Sequence, residues 1–169
     1  MALSKVDDIV YNLLNNSPFD IGYYHPYIVD FALVVPMMAI FMHFVSLLTQ
    51  SDENTSKAFL KMANLLFFMG ILFIFLAYIT GVAEGNEIRN VLSVEGKGIF
   101  DAHKSMGIYL LLFFLILLFM KIVSLIVKKE PVRYIFGTFL FFAILMLIYQ
   151  DFVGISLVYD YGAGVYCAR

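Results

Sequence analysis

His25-Pro26-Tyr27-Ile28-Val29-Asp30-Phe31 opens an apolar run that continues to Leu48. A helix needs about 20 mostly apolar residues to cross a hydrocarbon core of about 30 Å. Proline is tolerated in the first turn of a helix, where its missing N–H has no partner to lose. The polar step His25-Pro26 therefore reads as the entry of a transmembrane helix, with Asp30 roughly one turn inside it. Three further runs of sufficient length follow, at 58–82, 103–127 and 132–158. The third is preceded by Asp101-Ala102-His103-Lys104, a second histidine-bearing step like the first.

Composition agrees with a bilayer as solvent. Hydrophobic residues make up 62% of the 169-residue chain and charged residues only 14%, whereas a soluble domain is about half apolar. A net charge of -2 supplies no basic footprint for nucleic acid. The single cysteine, Cys167, cannot form an internal disulfide, and without a CxxCH motif no c-type haem is covalently attached. Tryptophan is absent, but 11 tyrosines can serve as interfacial anchors.

Residues 1–24 have acids where a signal peptide carries its basic segment, and no long apolar core. Ser4-Lys5-Val6-Asp7 reads as a capping box. Val6, Ile9, Val10, Leu13 and Leu14 then fall on one helical stripe that ends at Asn15-Asn16-Ser17-Pro18. Such a helix is too short to span and is expected at the interface or against the bundle. Three parts follow: an interfacial helix and linker over 1–24, a transmembrane domain over 25–158, and a tail over 159–169.

Short connections between long spans predict an all-α, antiparallel four-helix membrane bundle. The connection between the third and fourth runs is basic, with Lys128, Lys129 and Arg133, and that between the first and second carries Lys57. The connection over 84–101 is longer, slightly acidic, and reads as a loop. The positive-inside rule puts the basic connections in the cytoplasm. Both termini and the 84–101 segment then face outward, on the periplasmic side of a bacterial inner membrane. The first and third helices run in the same direction, so His25 and His103 share a depth. His43, 18 residues after His25, is about 27 Å away at the helical rise and reads as a structural residue near the opposite end.

Two neutral imidazoles at equal depth on parallel helices suit axial ligation of a haem iron from both faces. Gly107, one turn after His103, leaves room for a porphyrin plate. Arg89, Lys97 and Lys104 are positioned to pair with propionates. The bland alternative is that both histidines are interfacial groups meeting water. A zinc or non-haem iron site from His25, His103, Asp30 and Asp101 also has suitable chemistry and ranks below haem. Asp30 is the costliest residue, because an acid within a span usually has a job. It reads as the acceptor for a ligand histidine's free N–H, as a proton acceptor beside a quinone, or as a wet partner of Lys104. Tyr27, Asp101 and Asp151 are further candidates for such proton or quinone roles. The glycine-punctuated, aromatic segment 155–165 is expected to fold over the outer face.

The segment HPYIVDFALVVP resembles the HPxxVHFPIAL opening of a bacterial four-span membrane family of unknown function. DAHKSMG is similar to that family's AHxxxG, and ISLVYDYGAGV looks like its tail, Gly-Gly-x-Leu-Val-Tyr-x-x-Gly-x-Gly-Val. The three motifs occur in the family's order and cover all but the N-terminal helix. Members are often encoded with, or fused to, c-type cytochromes or other redox modules. The resemblance thus implies a b-type-cytochrome-like role in membrane electron transfer, with the histidines as haem ligands. This chain departs from the pattern at Asp30, where the family usually has a second histidine, and near Ala32, where it has a proline. The resulting expectation is a subunit of a larger membrane redox complex that holds haem b non-covalently. It would pass electrons between a quinone and a periplasmic carrier such as a c-type cytochrome. The alternatives are a haem-free structural or assembly subunit and a small metal- or quinone-binding membrane enzyme.

Overall fold

The computed structural model describes residues 9–12, 22–127 and 130–163, without the side chains of Asn86, Glu87, Glu130 and Arg133. Residues 9–12 are helical; the remainder of the N-terminal helix and residues 164–169, Cys167 included, lie outside the described residues. A 3-10 turn at Gly22–Tyr24 leads into α1 (His25–Leu48), α2 (Glu53–Val91), α3 (Val94–Val127) and α4 (Glu130–Tyr159). Each helix contains a stretch long and apolar enough to cross a membrane: Gly22–Leu48, Glu53–Gly85, Val94–Val127 and Tyr134–Tyr159. The protein is an all-α membrane bundle with four candidate spans.

The helices pack cyclically. α1 lies on α2, α2 on α3, α3 on α4 and α4 on α1, while α1 and α3 face each other across the diagonal. The α1–α2 seam is the most extensive and is built on small residues. A Cβ at Gly70 would lie 3.0 Å from the Cβ of Pro36, and one at Gly22 would lie 3.1 Å from the Cβ of Glu84. Helices in lipid gain no hydrophobic drive from meeting each other, so close backbone approach at such residues holds them together. The buried centre contains Ile40, Phe67, Phe114, Leu117, Leu140 and Ala143. Large apolar side chains such as Phe41, Leu72, Phe119 and Phe142 point outward, as lipid-facing residues do.

The α1–α2 turn is tightly bonded. Asp52 caps α2, its carboxylate accepting from the N–H groups of Asn54 and Thr55 and from the Thr55 hydroxyl at 2.6 Å. These donors hold the Asp52 carboxyl below the usual carboxylate range. Ser56 donates across the turn to the Ser46 carbonyl at 2.7 Å. Tyr134 at the start of α4 donates to Gln50 at 3.2 Å, so the first turn and the start of α4 share one end of the bundle.

The 84–101 segment is not a loop. It is helical except at Leu92-Ser93, so α2 and α3 form a hairpin with a two-residue break. Its polar composition suggests a loop, but local bonds satisfy the helix ends. The Ser93 hydroxyl accepts from Gly96 N–H at 3.1 Å, capping α3 as serine commonly does. One turn behind the break, Arg89 forks onto Asp101 at 2.9 and 3.0 Å. α2 has 39 residues, or about 58 Å at the helical rise, so the hairpin extends well past a hydrocarbon core. Leu92, Leu157 and Ala163 bury a small second core against Ile88, Ile99 and Phe100.

α4 ends on Gly162, whose φ of 69° is favourable only for glycine. The reversal returns Ala163 N–H to the Leu157 carbonyl at 2.9 Å. Tyr161 comes to lie on α3, where a Cβ at Gly96 would be 3.1 Å from its Cδ1. Burial and then the nearby Glu95 carboxylate push the Tyr161 phenol up from its ordinary value.

Candidate cofactor site between α1 and α3

His25 is the first residue of α1 and faces α2. A Cβ at Gly81 would lie 2.8 Å from His25 Cε1 and 3.3 Å from Nε2, so only glycine leaves space for the ring. Nδ1 lies 2.9 Å from Oγ1 of the buried Thr80. That hydroxyl also lies 2.9 Å from the Leu76 carbonyl and 3.2 Å from that of Ala77. A hydroxyl has one proton and a carbonyl can only accept, so the threonine proton goes to its own helix. Oγ1 then accepts from His25 Nδ1–H. Assigned in this way, neutral His25 carries its lone pair on Nε2.

His103 has a similar bed on α4. A Cβ at Gly154 would lie 3.1 Å from its Cε1. Gln150 Nε2 lies 3.2 Å from both ring nitrogens of His103 and 3.2 Å from its backbone carbonyl. The carbonyl only accepts, which identifies the atom beside it as the amide nitrogen. Gln150 Oε1 is buried and has no hydrogen-bond partner among the described residues.

Both histidines line one cavity of about 560 Å³ at this end of the bundle, within the range of roughly 300–1,000 Å³ typical of cofactor sites. Its walls include Leu33, Ile74, Phe100, Leu110 and Leu147, with glycines 81, 85, 107 and 154 opening space between them. Ala163 also lines it, bringing the chain beyond α4 against the site.

Of the residues singled out in the sequence, Gly107, Lys104, Asp30 and Asp151 line the cavity with the two histidines. A Cβ at Gly107 would meet only Gln150 Nε2, at 3.4 Å. Asp30 is exposed at the rim, and the partner of His25 Nδ1 is Thr80 rather than this acid. Arg89, Lys97, Asp101 and Tyr27 are not among the lining residues. Arg89 and Asp101 are engaged with each other, and Tyr27 is 60% exposed. Among the described residues no three histidine, cysteine or acidic side chains gather as a metal-binding group.

Sequence reasoning passed over Thr80, and it takes Gln150, at the histidine end of the fourth run, for an ordinary interfacial polar residue. Each carries a weak signal. Thr80 stands next to Gly81 inside an apolar run, and Gln150 stands one turn before Gly154.

At the opposite end, His43 is 2% exposed and Lys121 4%. Phe136 joins them: its ring lies 5.3 Å from the His43 ring and 4.9 Å from Lys121 Nζ. Eighteen residues are five helical turns. His43 therefore sits on the same face of α1 as His25, and Lys121 on the same face of α3 as His103. The bundle has two polar levels, the first holding a cavity and the second an aromatic ring.

Residues 24–166 match the model of DUF2231, a family described as predicted membrane protein. The chain belongs to this family. No curated protein and no solved structure matches it. In this DUF2231 protein the matched region takes in all four helices and every residue of the cavity.

Proposed function

We propose that this protein is a b-type haem subunit, with the iron held between His25 and His103 and electrons exchanged at that end of the bundle. The observation that carries the reading is the pair itself. Two imidazoles from diagonally opposed helices line a single apolar cavity, each resting on a glycine at which a Cβ would crowd the ring. The donor set fits haem better than a bare divalent ion. Porphyrin would supply four of the iron's donors, so two histidines would complete the set. Zinc or non-haem iron needs three or more protein ligands.

Bound haem would supply one-electron chemistry. The chain's own residues bind and orient. Leu33, Ile74, Leu110 and Leu147 exclude water, glycines 81 and 154 admit the imidazoles, and Lys104 is a cation on the cavity wall, where a propionate would be held. The basic connections favour placing this end on the periplasmic side of a bacterial inner membrane. A quinone and a c-type cytochrome are the electron partners that fit such a place.

Reduced-minus-oxidised spectroscopy of the purified, haem-supplied protein tests the reading. A b-type spectrum is expected in the wild type, and its loss is expected in His25→Ala and in His103→Ala. A folded wild-type preparation without a Soret band overturns it.

A further inference from the structure

We infer that the cavity has a lateral mouth: the seam between α1 and α4 admits a membrane-borne hydroquinone, whose hydroxyls are held by Asp30 and Asp151. The site lies at the rim of the same cavity and does not depend on the haem reading.

The walls locate the mouth. The exposed residues among those lining the cavity are Pro26 and Asp30 on α1, and Ile155, Val158 and Tyr159 on α4. Lining residues from α2 and α3 are half-buried or buried. Among the described residues the α1–α4 seam is also the least extensive of the four around the bundle. Both of its sides belong to stretches long and apolar enough to cross a membrane. Phe31 and Val34 on α1, and Ile148 and Phe152 on α4, are exposed and apolar. A molecule that enters here comes sideways from the lipid.

The polar groups at this seam select its chemistry. An acid within a span is costly and marks a functional site by default. The seam carries one on each side, Asp30 on α1 and Asp151 on α4, both on the cavity wall. The other acid and the lysine of the wall, Glu84 and Lys104, belong to α2 and α3. Carboxylates only accept hydrogen bonds. They also repel an anionic head group, which removes phospholipids and fatty acids. The ligand that fits is lipid-soluble, with hydroxyl donors on a ring that apolar walls such as Leu33 and Phe100 can cover. A hydroquinone has these features. Its oxidised form, the quinone, presents carbonyls, which likewise only accept. The seam therefore distinguishes the two oxidation states of one carrier and favours the reduced state.

The test uses the full chain in detergent without added haem, titrated with decylubiquinol under argon and separately with decylubiquinone. The wild type is expected to bind the hydroquinone about tenfold more tightly than the quinone, the worth of a hydrogen bond to a charged group. Asp30→Asn and Asp151→Asn place an amide donor at the seam, and each is expected to bring the two affinities within about threefold. Either variant serves if the other does not fold. Ile155→Trp fills the mouth and is expected to weaken binding of both forms. Equal wild-type affinities overturn the inference, as does a preference that persists in both aspartate variants. Unchanged affinities in Ile155→Trp overturn the placement of the mouth. Monoolein, an uncharged lipid with two hydroxyls and no ring, is the control, and its displacing the hydroquinone at equal concentration overturns the choice of ligand. The haem spectrum is read on a separate sample, so its absence overturns the haem reading and leaves the hydroquinone site standing.

Discussion

His25 rests directly on Gly81, so closely that a Cβ there would lie 2.8 Å from the imidazole Cε1. The matching contact on the other side of the bundle, His103 on Gly154, leaves 3.1 Å. The difference of a few tenths of an ångström separates two outcomes. Gly81→Ala forces the His25 ring to move and breaks its bond to Thr80. Gly154→Ala asks the His103 ring for only a small shift. Overpacking of this kind costs about 1–3 kcal/mol, and Gly81→Ala should lie toward the upper end. Thermal unfolding in detergent should order the proteins wild type, Gly154→Ala, Gly81→Ala. Retention of the proposed haem should fall in the same order.

Arg89 and Lys104 offer a second contrast. Both are basic residues at the histidine end, but only Lys104 lines the cavity. Arg89 is forked onto Asp101. On the proposed haem reading, Lys104→Ala should loosen the haem and raise its rate of transfer to an acceptor such as apomyoglobin. Arg89→Ala should leave that rate unchanged and loosen the α2–α3 hairpin, read as faster proteolysis near Leu92-Ser93.

The fold was legible because four long apolar runs admit few arrangements, and the pairing of His25 with His103 followed from span count and direction. The hairpin was not legible. Glutamates, Arg89 and Lys97 between two spans read as loop, since composition does not reveal that Ser93 caps one helix and Arg89 reaches Asp101. The partners of the histidines were missed for a related reason. Asp30 draws attention because an acid in a span is expensive. Thr80 is cheap, since its hydroxyl can bond to its own helix, and nothing in one sequence says that the same oxygen also meets His25. Lys121 is similar. A lysine two turns before a basic connection suggests an exposed side chain, yet it is buried in the bundle over Phe136.

Asp52 gives the α1–α2 turn an acid limit. Its folded carboxyl titrates below the ordinary value because Thr55 and Asn54 donate to it. A group depressed in this way adds stability that is complete above its unfolded pKa of about 3.9 and is lost as pH falls through the lower folded value. Asp52→Asn keeps a capping oxygen without the charge. The wild type should lose more stability than this variant between pH 5 and pH 3, as measured by the unfolding midpoint, and the two curves should run parallel above pH 5.

The turn beyond α4 covers part of the cavity. Gly162 holds φ at 69°, a conformation that costs a residue with a Cβ about 1–2 kcal/mol. The reversal that it permits sets Ala163 against the cavity and Tyr161 on Gly96. Gly162→Ala should therefore act at a distance. It leaves His25, His103 and their glycines untouched, so the spectrum of the proposed haem should keep its shape. Strain at the reversal should free Tyr161 from α3 and expose the site from above, so haem should leave faster and dithionite should reduce it faster. Asn, which tolerates the left-handed region better than alanine, should recover part of both losses. An unchanged haem dissociation rate in Gly162→Ala would mean that the turn beyond α4 ends a helix without guarding the cavity.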